Sequence, residues 1–223
     1  MQRLLGLDIT RTYVRAALLN VTLRKTVVEA LEEVSIEDAG GAREALLQAV
    51  GVMKPDGTAV ALPGDKAFFR RIELPAAAAK EIQNVLGYEL EATVPFEMEE
   101  AVFDHRMLKA SDKDSAVVPV FAVVARIEDV KERIALVKDA LKIDCERVGV
   151  GAMPLSNLAA VMPELDSLPV KKGETAEDRP VAILSLGERM SEIVVLQGGE
   201  PVFARSLSRG TYGLPGSAPA LSR

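Results

Sequence analysis

Tryptophan is absent from the chain and aromatic rings are few, six Phe and three Tyr in 223 residues. A platform that stacks nucleic-acid bases needs such rings, so their scarcity argues against that function class. The core has to be built from Val, Leu, Ile and Ala instead. Cysteine occurs once, at Cys145, which permits no internal disulfide and no thiolate metal cluster and fits a reducing compartment. Among apolar and charged neighbours, Cys145 reads as a small core residue. Histidine also occurs once. His105, between Asp104 and Arg106, has no second imidazole for a metal and no Ser or Cys nucleophile signature beside it, so it reads as structural. Positive charge is not in excess: 27 Lys and Arg stand against 33 Asp and Glu, a net charge of -6. The basic residues are also scattered, which argues against nucleic acid as a partner. Long apolar runs are missing too. The longest, Val117 to Ala125, contains Pro119 and is far short of the roughly 20 residues a membrane helix needs. It reads as a buried strand. After Arg3 the first apolar run meets Asp8 at once, leaving no room for a secretory core, so the cytoplasm is the expected location.

The 48% apolar and 27% charged residues describe a soluble globular protein. Leu4–Ile9 and Tyr13–Leu19 read as two strands joined by the short loop Thr10-Arg11-Thr12, with a third strand over Lys25–Val34. Ala42–Val50 carries apolar residues at helical spacing and meets a stop at Gly51. Strands follow over Thr58–Leu62 and Ala67–Leu74. From Pro75 the pattern changes. A helix is predicted over Ala76–Ala92, then strands over Ala101–Leu108 and Val117–Ala125, then the amphipathic helix Ile127–Leu141. The apolar stripe of this last helix is expected to pack on the two strands before it, making a helix-strand-strand-helix unit. Cys145–Val150 reads as a strand, Pro154–Val161 as a short helix, and the charged stretch 164–179 as a linker. Beyond Pro180, strands are predicted at Val181–Leu186, Met190–Gln197 and Pro201–Leu207, the last two joined by Gly198-Gly199. Ser208 to Gly216 is a Gly-rich loop after which few apolar residues remain, so the chain is expected to stop inside a larger fold. Gly210 and Gly213 there suit either a nucleotide-base loop or a tight turn. Glu97, Glu99 and Glu100 follow a proline and read as a solvated acidic run.

Two hairpins opening separate lobes, each with a small polar loop, resemble the duplicated architecture of the actin, sugar-kinase and heat-shock ATPase superfamily. Leu5-Gly6-Leu7-Asp8-Ile9-Thr10-Arg11-Thr12 looks like the first phosphate loop of that fold, and Leu184-Ser185-Leu186-Gly187-Glu188-Arg189 like the second. The middle of the chain narrows the likeness. Leu74-Pro75, the helix through Glu89-Leu90-Glu91, Val94-Pro95-Phe96-Glu97-Met98-Glu99-Glu100-Ala101-Val102-Phe103-Asp104 and Val120-Phe121-Ala122-Val123-Val124-Ala125-Arg126 are similar to the inserted subdomain of the PilM and GspL family. These are cytoplasmic actin-like components of type IV pilus and type II secretion inner-membrane platforms.

The resemblance implies an α/β, actin-like fold with ribonuclease H-like lobes and an inserted α+β subdomain. It divides the chain into a first lobe (1–75 and 143–163), the insert (76–142), a linker (164–179) and the start of a second lobe (180–223). It implies a scaffold, GspL-like in linking a secretion ATPase to bitopic inner-membrane proteins. The alternative is a PilM-like protein that binds ATP and the cytoplasmic tail of a PilN-like partner. The expected place is the inner face of the inner membrane, reached through a segment outside this chain, and a homodimer is allowed. The candidate phosphate-loop residues are Asp8, Thr10, Arg11 and Thr12 in the first loop and Gly187 and Glu188 in the second. Both loops depart from the pattern. Thr10 stands where glycine is wanted, and its Cβ hinders positive φ and close approach of a phosphate. Ser185 stands where a second Asp is expected, which removes a metal- or water-positioning carboxylate. No catalytic residue, resident metal or cofactor is therefore expected, with ATP and magnesium as the alternative. Asp8 reads either as a relic of a magnesium site or as a carboxylate bonded within its own turn.

Overall fold

The computed structural model describes residues 1–109, 116–160 and 179–212. The linker expected over 164–179 lies outside them except for Arg179, as does Gly213. The described chain forms two compact units, Met1–Lys66 with Arg126–Val150, and Ala67–Ala125 with Gly151–Arg223.

In the first unit, β1 (Gln2–Ile9), β2 (Tyr13–Val21), β3 (Thr26–Ser35), β4 (Gly57–Leu62) and β8 (Arg147–Val150) make a five-stranded sheet of order β3-β2-β1-β4-β8. The first three strands form an antiparallel meander, while β1 to β4 and β4 to β8 are parallel. Period-2 alternation explains the register. Leu5, Leu7 and Ile9 point to one face and lie opposite Leu18, Ala16 and Val14, and all six are buried. Two helices cover that face: α2 (Ala42–Val50) buries Ala45, Leu46, Ala49 and Val50, and α4 (Ile127–Leu141) buries Val137 and Ala140. Each fully buried Leu or Val here stabilises the fold by about 1.5–3 kcal/mol. Cys145 packs half-buried against the same core, and burial raises its thiol pKa, with Asp144 adding to the effect. A single turn of helix, α1 (Ile36–Ala39), precedes α2. The Ser35 hydroxyl caps it by accepting from the Asp38 amide at 3.2 Å.

The second unit holds two three-stranded sheets, β5-β7-β6 and β11-β10-β9. Their strands are β5 (Ala67–Pro75), β6 (Ala101–Met107), β7 (Val117–Arg126), β9 (Val181–Leu186), β10 (Ser191–Gln197) and β11 (Glu200–Leu207). β5 and β7 are antiparallel from Ala67↔Ala125 to Pro75↔Val117. β7 explains the uninterrupted apolar run of the sequence, because both its faces are covered. Val120, Ala122 and Val124 meet Leu86 and Leu90 of α3 (Ile82–Glu91). Phe121 and Val123 meet Val194, Leu196 and Ala204 of the other sheet.

Two local expectations change. The amphipathic helix α4 does not pack on the strands before it. Those strands already have α3 on one face and β9–β11 on the other, and the helix instead packs Leu136, Val137, Ala140 and Leu141 into the first unit's core. The helix expected over Ala76–Ala92 is α-helical only from Ile82, with a 3-10 segment at Ala76–Glu81. The alanines offer no large side chain to seat a helical face, whereas the stretch from Ile82 to Leu90 does. Glu97, Glu99 and Glu100 are exposed around a 3-10 turn, in keeping with a solvated acidic run.

Candidate functional site

The first loop closes β1 onto β2 and is held by the side chain of Thr10. The Thr10 amide donates to the Tyr13 carbonyl at 2.9 Å and its hydroxyl donates to the same oxygen at 3.0 Å. That hydroxyl also accepts from the amides of Thr12 (3.2 Å) and Tyr13 (2.8 Å). Three of the amides that a phosphate loop would turn toward its ligand are thus engaged inside the turn. Lys142 is the one non-glycine residue with positive φ among the described residues. Thr10 therefore sits in ordinary backbone, as its Cβ requires.

The same set of bonds recurs at the other end of β2. There the Thr22 amide and hydroxyl both donate to the Lys25 carbonyl at 2.9 Å, and the hydroxyl accepts from Arg24 (3.4 Å) and Lys25 (3.1 Å). The first loop is built like an ordinary hairpin turn.

Around it lie charges brought from distant parts of the first unit. Asp8, about half exposed, does not bond within its own turn but pairs across the hairpin with Arg15 at 3.4 Å. Arg15 also holds Glu33 on β3. Burial opposes the charge on Arg15, but Glu33 and Asp8 outweigh it and raise its pKa. Arg11 is mostly exposed and meets Asp65 at 3.5 Å. Arg133 on α4 donates to the Ile9 carbonyl at 2.9 Å. Burial lowers its pKa against the opposing pull of Asp8 and Asp65. Lys66 pairs with Asp129 at 2.8 Å. Asp65, Lys66, Asp129 and Arg133 were not singled out from the sequence.

The second candidate loop, in the other unit, joins β9 to β10. The Gly187 amide donates to the Met190 carbonyl at 3.0 Å. The carbonyls of Gly187 and Glu188 accept from the amides of Thr211 (3.0 Å) and Tyr212 (2.8 Å), so the segment after β11 lies across the loop. The fit is close. A Cβ on Gly187 would stand 2.6 Å from the Met190 carbonyl oxygen, and one on Gly210 would overlap the carbonyls of Gly187 and Glu188. Arg189 stacks over the Tyr212 ring at 4.8 Å. Gly210 thus serves a tight packing contact. Among the described residues no group of three or more His, Cys, Asp and Glu side chains could hold a metal. None of the described helices is long and apolar enough to cross a membrane.

A meander continued by parallel strands, together with a second, strand-rich unit, belongs to an actin-like α/β fold. The family model described as type IV pilus assembly protein PilM matches residues 6–214, and the chain belongs to that family. A chain of the PilM-PilN type IV pilus biogenesis complex shares its fold at a TM-score of 0.66 and 23% identity, covering 92% of this chain. This chain spans 61% of that one. The cytoplasmic domain of EpsL, an inner-membrane component of the type II secretion system of Vibrio cholerae, has a TM-score of 0.55 and 14% identity. That match covers 92% of this chain and 71% of that domain. The chain is thus a member of the PilM family whose fold is shared with the EpsL cytoplasmic domain.

Proposed function

We propose that the chain is a PilM-type scaffold that works by holding a protein partner and does not turn over nucleotide. The observation that carries this reading is the identity of construction between the first loop and the plain turn at Thr22: Thr10 bonds the amides a triphosphate would need. The charges around the loop add to it, because Asp8 and Asp65 already face arginines. A magnesium-triphosphate does not suit these residues. The partner is an inner-membrane platform protein of the PilN kind, gripped by its cytoplasmic tail, which would place the scaffold at the inner face of that membrane. The match of residues 6–214 to the PilM family supports this partner over a secretion ATPase. The fold shared with the EpsL cytoplasmic domain favours the second reading, a GspL-like link to a type II secretion ATPase.

Titration calorimetry tests both halves. The expected result is saturable binding of a peptide copied from a PilN-like cytoplasmic tail, and no heat from MgATP at millimolar concentration. Saturable MgATP binding accompanied by release of phosphate would overturn the non-catalytic reading, and capture of a purified secretion ATPase with no binding of the tail peptide would move the assignment to the GspL kind.

A further inference from the structure

The sheet of the first unit ends on one side in β3, ten residues long, whose far edge pairs with nothing among the described residues. The strand on the other side, β8, has only four residues. On β3, Val27, Val28 and Leu31 are exposed, Leu31 to 72%. The pairing with β2 skips Glu29, so that Val28 stands opposite Leu19 and Leu31 opposite Ala17. The core-facing residues of β2 are Val14, Ala16 and Leu18, so Val28 and Leu31 share the opposite face, away from α2 and α4. Charge is divided along the strand. Arg24 and Lys25 stand just before it and Glu32 and Glu33 near its end. Arg24, Lys25 and Glu32 form no ion pair among the described residues, whereas Glu29 is held by Arg3 at 2.9 Å and Glu33 by Arg15. A bulge and charges on an edge strand discourage indiscriminate pairing. They still admit a strand whose charges run the opposite way.

We infer that the β3 edge is a self-association surface, on which a second copy of this chain lays its own β3 antiparallel about a two-fold axis and continues the sheet. A two-fold contact is self-complementary only where each end of the strand meets its opposite. β3 meets that condition, being basic at its start and acidic toward its end. With Val28 of each copy opposite Leu31 of the other, residues of like face stay in register, Thr26 opposite Glu33 and Val27 opposite Glu32. Arg24 then lies diagonal to Glu33 and Lys25 diagonal to Glu32, each twice by symmetry. Glu29 falls near the axis, where Arg3 already neutralises it. A parallel arrangement would set glutamates beside glutamates. Main-chain bonds and the apolar pairs supply the contact, and the charges fix its direction. This goes beyond the scaffold reading and does not depend on it.

Sedimentation equilibrium of the full chain over a range of concentrations reads the association constant. The expected result is a reversible monomer–dimer equilibrium that weakens as salt is raised. Lys25→Glu and Glu32→Lys should each lower the association constant ~10-fold, because symmetry turns two attractions into two repulsions. Combined, they should restore it, since the pair is rebuilt with its signs exchanged. Leu31→Lys should abolish the dimer. All three side chains are exposed, and circular dichroism with urea unfolding checks that each variant folds. Should one charge variant not fold, the other and Leu31→Lys decide. A chain that stays monomeric at the highest concentration reached, or a dimer that ignores these substitutions or is not restored by the exchange, would overturn the inference. If the chain is monomeric and Leu31→Lys weakens binding of the PilN-like tail peptide, the edge belongs to that peptide and the inference fails. Tail and MgATP binding by the unmodified chain decide the scaffold reading separately.

Discussion

The turns at the two ends of β2 are built from the same bonds and stand in different company. Thr22 and Lys25 close an exposed turn with no ion pair described around it, whereas Thr10 and Tyr13 close a half-buried one encircled by Asp8, Arg11, Arg15, Asp65 and Arg133. A threonine in the first position is enough to shape either turn. What distinguishes the candidate site is therefore its electrostatic setting and not its backbone. The β9–β10 loop is a third case, held by backbone from Thr211 and Tyr212 with no side chain bonded inside the turn.

The contrast can be broken by removing each device in turn. Gly210→Ala should have the largest effect, because the added carbon meets two main-chain oxygens that cannot swing away. A loss of about 3 kcal/mol in urea unfolding is expected, with faster hydrogen exchange at Thr211 and Tyr212 and none at Thr12 and Tyr13. Thr10→Val keeps the shape but strands the Thr12 and Tyr13 amides in a partly buried turn. It should cost about 1–2 kcal/mol, while Thr22→Val should cost less because water reaches that turn, and Thr10→Ser should be near neutral. Equal losses at Thr10 and Thr22 would show that the charged surroundings add nothing. Smallest of all, Lys66→Ala should cost a few tenths of a kcal/mol and the cost should fade with added salt, because the Lys66 side chain is half exposed.

Much of this was legible in the sequence. The β1–β2 pairing, α2 with its stop at Gly51, and the hairpin at Gly198-Gly199 follow from alternation, helical spacing and turn glycines that act within a few residues. The buried character of β7 was legible for the same reason. The helix α1 escaped because four residues carry no periodicity, although Ser35 and Asp38 at capping distance were the signal. Thr10 was noticed for the Cβ that displaces a glycine, while its hydroxyl, which shapes the turn, went unread. Arg133 and Asp65 could not be found by local reading: only the fold brings Arg133 of α4 to the Ile9 carbonyl, and Asp65, after β4, to Arg11. The destination of α4 was misread for a related reason, because an amphipathic stripe says that a helix packs but not on what.

Cys145, half sunk against the core of the first unit, is the sole sulfhydryl in the chain. Burial, with Asp144, raises its thiol pKa, so less thiolate is present at neutral pH than for a free thiol and alkylation should be slowed. The rate of its modification reports on the surroundings of the first unit and needs no engineered label.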